Sequence, residues 1–337
     1  MKRIFTVVTA IAAVISAYAA DFTEKELEVR AADGVRMGAT LTAPEHPKAA
    51  VVLATGSGTQ NRDEEVFGKK PFKTLAEFLS SHGYAVLRVD DRGFDRAEDA
   101  AKATVDTYTT DVASALAVMD SIYPALPAGI IGHSAGGSYA IRNGAHNERT
   151  DFVITLAAPA WSGDSLVMAQ SRALAVRLTG RYDNEGLQRR LLSIAKSDVA
   201  DFIALAMITG EINAAAGEAA KIPEVQKQIH GQASALLSPW YRSMLRYDPA
   251  DDIKAVKVPF LALNGSKDIQ VLPGNLTTIG ELNPAADTRL MESMNHLFQV
   301  CESGMIQEYA TIPGDISDAA LAAILDWLEK RIAAPAK

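Results

Sequence analysis

The stretch Gly129-Ile130-Ile131-Gly132-His133-Ser134-Ala135-Gly136-Gly137 limits what this chain can fold into more than any other. An apolar run stops at a glycine, meets a serine in the spacing Gly132-x-Ser134-x-Gly136, and gives way to helix-compatible residues from Ser138 to Arg142. A strand, a serine and a helix in that order form the setting of a nucleophile elbow, where the serine is held in a strained backbone conformation. The segments on either side then pass so close that only glycine or alanine leaves room.

The surrounding segments alternate in the way such a turn requires. Phe22 to Arg30 and Val35 to Thr42 read as strands joined by the Asp33-Gly34 turn, so the sheet is expected to start with a hairpin. Ala49 to Ala54, Tyr84 to Val89, Phe152 to Ala157 and Val258 to Leu263 are short, nearly continuous apolar runs, as in strands covered on both faces. Helical spacing separates them at Lys73 to His82, Tyr108 to Ile122, Ser138 to His146 and Gly274 to Leu282. Arg289 to Glu292 reads as a last short strand and Ser317 to Ile332 as a closing helix. Counting the elbow strand, this is an α/β architecture with a mostly parallel eight-stranded sheet flanked by helices. Between Trp161 and Asp251 strand signals vanish, and Ser165 to Leu178, Glu185 to Ile194, Val199 to Ile208 and Glu224 to Leu237 read as helices. The expected organisation is a core over 20–160, a helical cap over 161–251 inserted after the sixth strand, and the rest of the core over 252–337.

Composition sets outer limits. The net charge of -8 over 337 residues disfavours a nucleic-acid or anionic-membrane partner and is compatible with a small neutral substrate. Met1-Lys2-Arg3 is basic, Ile4 to Ile15 is almost wholly apolar, and Ala17-Tyr18-Ala19 offers small residues, so residues 1–19 are expected to be a signal peptide. The run is shorter than the ~20 residues of a membrane span, and no cysteine follows it to carry a lipid. An exported chain, periplasmic or secreted, with no membrane span after leader removal is the expectation. Cys301 is the single cysteine, so no intramolecular disulfide is possible, and a structural role is expected for it.

Two residues downstream of Ser134 stand at the carboxyl ends of consecutive strands, Asp268 and His296, at the sheet edge where ligands bind in open α/β folds. A serine hydroxyl needs a base within hydrogen-bond reach, and the base needs an acid to fix its tautomer. Among the six histidines, His296 alone follows the last strand after an acid-bearing loop; His133 adjoins Ser134 and is expected to project away from it. Asp251, Asp252 and Asp287 precede their strands, at the opposite edge. Asp90, Asp91 and Arg92 are read as paired charges that hold loops together. The loop Thr55-Gly56-Ser57-Gly58 follows a buried strand and presents backbone N–H groups. It lacks the Gly-Lys-Ser/Thr ending of a phosphate loop, and neither His-x-x-x-His nor Cys-x-x-Cys spacing occurs, so no cofactor and no metal are expected.

These motifs, together with Lys70-Pro71-Phe72, Asp90-Asp91-Arg92-Gly93, Ser238-Pro239-Trp240-Tyr241, Tyr247-Asp248-Pro249 and Asn295-His296-Leu297-Phe298, resemble the α/β-hydrolase superfamily. The closer resemblance is to bacterial exported esterases and serine aminopeptidase-like hydrolases. It implies Ser134 as nucleophile, Asp268 as acid and His296 as base. Oxyanion donors would be the backbone N–H of Ala135 and that of Ser57 or Gly58. The expected activity is cleavage of small carboxylic esters through an acyl-enzyme. Amide or aminopeptide cleavage is the alternative, and a non-catalytic binding protein would be expected to lack a triad member. An aminopeptidase would want cap carboxylates, for which Glu185, Glu211, Glu218 and Glu224 are available. Trp161, Trp240, Tyr241 and Arg242 are the candidate substrate-binding residues.

Overall fold

A computed structural model describes residues 22–332; the expected signal peptide lies outside them. The chain begins with a hairpin of β1 (Thr23–Arg30) and β2 (Arg36–Ala43), paired antiparallel. Gly34 takes φ +90°, and the Asp33 carboxylate accepts the Val35 N–H at 3.2 Å, which closes the turn. Then β3 (Ala49–Ala54), α1 (Pro71–Ser81), β4 (Tyr84–Val89), α2 (Val105–Ile122), β5 (Ala128–His133), α3 (Ala135–His146) and β6 (Phe152–Leu156) alternate as the sequence predicts. An insertion of helices follows β6: α4 (Gly163–Thr179), α5 (Glu185–Lys196), α6 (Asp201–Ala216), α7 (Pro223–Leu236) and α8 (Pro239–Arg246). The core resumes with α9 (Ala250–Ala255), β7 (Phe260–Gly265), α10 (Gly274–Leu282), β8 (Asp287–Met291) and α11 (Asp318–Arg331).

The strands form one sheet in the order β1-β2-β4-β3-β5-β6-β7-β8. β2 pairs antiparallel with β1 and β4, and every later neighbour is parallel. Every residue of β3, β5, β6 and β7 is buried, which is why these strands read as unbroken apolar runs. β8 lies at the edge and alternates half-buried and exposed positions, so its polar first residues hide its start at Asp287. One face of the sheet is covered by α2, α3, α9 and α10, through residues such as Leu116, Ile141, Ile253 and Ile279. The other is covered by α1 and α11, through Leu75, Leu79, Ile324 and Trp327.

Helix starts differ from the sequence reading where capping chemistry decides them. α2 begins at Val105, three residues early, because Thr104 and Thr107 form a reciprocal capping box. α1 gains Pro71 at its first position, where a missing N–H has no consequence. α3 begins at Ala135; Gly136 and Gly137 weaken the helical signal of its first turn. α8 and α9 were not foreseen. The expected cap boundary at 251 falls inside α9, which packs on α3 and α10.

Two glycines show how differently the same residue type is used. A Cβ on Gly136 would overlap the Ala54 carbonyl, whereas one on Gly210, exposed in the middle of α6, would meet nothing within 4 Å. Gly136→Ala is expected to destabilise the protein by about 1–3 kcal/mol or more through overpacking. Gly210→Ala is expected to stabilise it by roughly 1 kcal/mol through helix propensity. Urea denaturation of the two variants checks the opposite signs.

Candidate active site

Ser134 sits at the turn between β5 and α3 with φ +53° and ψ -121°, a conformation that costs a serine on the order of 1–3 kcal/mol. It persists because the turn is packed from both sides: a Cβ on Gly132 would overlap the Gly136 carbonyl. The Ser134 N–H donates to the Leu156 carbonyl on β6 at 2.9 Å, and the Ser134 carbonyl accepts the Gly137 N–H at 2.9 Å. The serine stands beyond the carboxyl end of the strand, at the head of a helix.

Asp268 follows β7 and His296 follows β8, at the same sheet edge. The His296 Nδ1 lies 2.7 Å from Asp268 Oδ2, and both side chains are buried. The other carboxylate oxygen of Asp268 accepts the N–H groups of Gln270 and Val271, at 2.8 and 3.0 Å, so the acid is fixed by main chain. An ionised acid held this way accepts from Nδ1–H, which leaves Nε2 as the basic atom of His296. The His296 loop is shaped by Asn295, whose Oδ1 accepts the N–H groups of Leu297 and Gln299, each at 3.0 Å.

Ser134 and Ala135 line a cavity of about 170 Å³ between the sheet edge and the cap. Ser57 borders it; Gly58 does not. Among the described residues, no protein acceptor takes the N–H of Ala135, Ser57 or Gly58. The walls are chiefly apolar and aromatic, with Trp161, Trp240, Tyr241, Tyr139 and Val271 among them, and no carboxylate lines it. Trp240 Nε1–H donates to the Tyr139 hydroxyl at 2.9 Å and Trp161 Nε1–H to Thr278 at 3.0 Å, so the polar tips of both indoles point into protein. A larger open groove of about 1400 Å³ runs between α4 and α5. It touches none of Ser134, Asp268 or His296, and its Lys196–Asp164 and Arg189–Glu185 charges pair with each other.

Residues 45–291 match the family described as serine aminopeptidase, S33. This chain belongs to that family, and its fold is the α/β-hydrolase fold. Among curated proteins it is similar to the esterase EstD of Thermotoga maritima, 24% identical over 282 residues; the match covers 82% of this chain and 60% of that relative. Among solved structures, the Pyrococcus furiosus esterase Pf2001 aligns with TM-score 0.57 at 15% identity, covering 92% of each chain. The α/β-hydrolase GrgF from Penicillium sp. sh18 aligns with TM-score 0.59 at 14% identity, covering 93% of this chain and all of that one.

One sequence expectation needs correction, and another gains an unforeseen partner. Arg242 does not line the cavity: its guanidinium donates to the Ala195 and Ser197 carbonyls and pairs with Asp201, because the cap helices α5 and α8 leave main-chain acceptors facing it. His133 does turn away from Ser134, but into an unforeseen contact. Its Nδ1 is 2.8 Å from Glu64 Oε1 and its Nε2 is 3.0 Å from the His296 carbonyl. Burial pushes the His133 imidazolium down in pKa, but the Glu64 carboxylate beside it and the His296 carbonyl outweigh this and hold it above the ordinary value. The signal that could have found Glu64 was His133 itself, since a histidine at the end of a wholly buried strand must have partners for both ring nitrogens.

The charged run after β4 is structural. Asp90 receives Arg62, and Arg92 bridges Asp111 and Asp33. Asp91 clasps both ends of the Ser57 loop, accepting from Thr55 Oγ1 at 2.6 Å and from the Gln60 N–H at 2.9 Å. Among the described residues no group of three or more His, Cys, Asp or Glu side chains is placed to hold a metal ion.

Burial of the Asp91 carboxyl raises its pKa to about 7, although part of the residue reaches solvent and both donors oppose the shift. The folded protein therefore holds a proton that the unfolded chain releases near 3.9. The stability contribution is complete below that unfolded value and is lost as pH rises through about 7. In Asp91→Asn the amide can keep both partners and cannot titrate. Between about pH 5 and pH 8 the wild type is expected to lose more stability than Asp91→Asn. Urea midpoints measured for both proteins at both pH values check this, and parallel profiles would refute it.

Proposed function

We propose that this protein is a serine hydrolase of small carboxylic esters, working through an acyl-enzyme. The observation that carries the proposal is the buried His296–Asp268 pair at the sheet edge where Ser134 is held in a left-handed elbow. Ser134 Oγ attacks the acyl carbonyl while its proton passes to His296 Nε2, and Asp268 stabilises the resulting imidazolium. The oxyanion accepts from the N–H groups of Ala135 and Ser57; the cavity edge favours Ser57 over Gly58. His296 then gives its proton to the departing alkoxide oxygen. Water, deprotonated by the same histidine, attacks the acyl-enzyme and releases the carboxylic acid with Ser134 regenerated.

The cavity supports an ester over an aminopeptide. No carboxylate lines it to receive a substrate ammonium. Three of the four cap carboxylates that could have done so are committed elsewhere: Glu185 to Arg189, Glu211 to Arg190 and Glu218 to Lys221. Glu224 is exposed and does not border the cavity. The esterase names of the relatives point the same way. At about 170 Å³ the space is below the ~300 Å³ where drug-sized sites begin, which supports a short acyl group.

Acetyl to butyryl nitrophenyl esters are expected to be cleaved faster than decanoyl esters, and all of them faster than aminoacyl anilides. Ser134→Ala and Asp268→Asn are expected to lower kcat by on the order of 10⁴-fold, and Ser134→Ala to abolish labelling by a fluorophosphonate. Anilide turnover above that of every ester would replace the esterase reading with a peptidase one. A folded wild-type protein that resists the label would remove the serine mechanism altogether.

A further inference from the structure

Glu64 is a buried carboxylate that the reaction above does not use. It sits in the loop between β3 and α1, 3% exposed, with φ +52°, a left-handed backbone that a glutamate adopts only when its surroundings impose it. Its own loop fixes it there. The Glu64 N–H donates to the Asn61 carbonyl at 2.9 Å, and the flanking Asp63 pairs with Arg88. The side chain turns inward, where Oε1 accepts the Gly56 N–H at 2.7 Å and faces His133 Nδ1 at 2.8 Å. Oε2 has no protein partner, and the residue borders an apolar space of about 10 Å³ whose walls include Phe72, Leu75, Leu297 and Phe298. Burying an under-satisfied carboxylate in such a place is costly, so what it holds merits explanation.

What it holds is the meeting point of three parts of the site. Gly56 immediately precedes Ser57, and a Cβ on Gly56 would lie 3.0 Å from Glu64 Oε1 and 3.3 Å from Ser134 Cβ. The His133 ring is 4.6 Å from the His296 ring, centroid to centroid. The His296 carbonyl can only accept, so His133 Nε2 carries a proton and donates to it at 3.0 Å. One chain of contacts therefore runs from the Gly56 N–H through Glu64 and His133 to the main chain of His296.

We propose that Glu64 and His133 are positioning residues: a buried carboxylate–imidazole pair that ties the loop bearing the Ser57 N–H to the loop bearing His296, so that oxyanion donor and base keep their distance across Ser134. The proposal rests on the ester-hydrolase reading of the same site. Neither side chain borders the cavity, so neither contacts the acyl or alcohol group. Their effect falls on the geometry of the reacting groups and not on substrate affinity.

Glu64→Gln keeps the shape and removes the charge. A neutral His133 that still donates from Nε2 presents an accepting lone pair at Nδ1, to which an amide oxygen has no proton to donate. Turning the amide to satisfy it strips Gly56 of its acceptor. Glu64→Gln is expected to lower kcat for a short nitrophenyl ester by about 10- to 100-fold, the scale of a small misplacement of reacting groups, with KM nearly unchanged. Amide hydrogen exchange at Gly56 and Ser57 is expected to quicken. In a double-mutant cycle, Glu64→Gln with His133→Ala is expected to be no slower than His133→Ala alone, because the two residues act as one unit. Wild-type kcat in Glu64→Gln, a rise in KM that accounts for the whole loss, or additive losses in the cycle would each overturn the proposal. Should His133→Ala fail to fold, Glu64→Gln exchange and the kcat-to-KM split still decide it. If the wild type itself neither cleaves esters nor takes the fluorophosphonate label, the functional reading falls. Exchange at Gly56 then judges the tie on its own: faster exchange in Glu64→Gln supports it and unchanged exchange overturns it.

Discussion

The fold depends on one close approach. At the end of β5 the chain reverses into α3 within so small a space that Gly132 and Gly136 leave no room for a side chain, and Ser134 is forced to φ +53°. A strained residue of this kind is unstable unless its neighbours over-determine it. Here β3 and β6 lie on either side of β5, and both contribute: the Ala54 carbonyl crowds Gly136 and the Leu156 carbonyl receives the Ser134 N–H. The requirement explains why the elbow is central in the sheet. An edge strand, hydrogen-bonded on one side only, could not supply both constraints.

Around that turn the carboxyl edge of the sheet collects largely enclosed acids that are held by different means. Asp268 is held by two main-chain N–H groups and His296, Glu64 by the Gly56 N–H and His133, and Asp91 by Thr55 and Gln60. Each hydrogen bond to a loop N–H replaces hydration lost on burial and fixes a backbone position in the same contact. Charge is being used here to shape loops that have no secondary structure of their own. The consequence is electrostatic coupling: Glu64 and Asp111 both raise the Asp91 pKa, so the loop bearing Ser57 rests on a group that titrates near neutrality.

How far the sequence could be read follows from how each signal is written. The wholly buried strands announce themselves because both faces demand apolar side chains, and the order Ser134, Asp268, His296 follows from counting strand ends. β8 was shortened because an edge strand needs apolar residues on one face only. α8 escapes the sequence reading because eight residues make barely two turns, too short a window to stand out; its start is set by Ser238, whose hydroxyl accepts the Tyr241 N–H. Arg242 was misplaced for a related reason. On so short a helix the sequence does not say which side of the cap a residue faces, and the acceptors that capture it, Ala195 and Ser197, lie on another segment. The Glu64–His133 pair joins residues 69 apart in the chain, a distance that no local pattern encodes.

The division between core and cap has a physical basis. The core fixes the reacting atoms through backbone hydrogen bonds, which tolerate little change, whereas the cavity wall opposite is made of side chains from α4 and α8 packed on a separate apolar cluster. The two are joined at a narrow place, where Tyr139 on α3 stacks on Tyr108 and accepts from Trp240 on α8. Substitutions at Leu166 or Tyr241 therefore alter the shape of the cavity without touching the hydrogen bonds that hold Ser134. A change at Tyr139 reaches both sides, since that residue lies one turn beyond the elbow in the same helix whose first N–H faces the cavity. On the proposed esterase reading, acyl selectivity can drift through the cap while the chemistry stays constant, as long as the aromatic junction keeps the cap seated on the sheet edge.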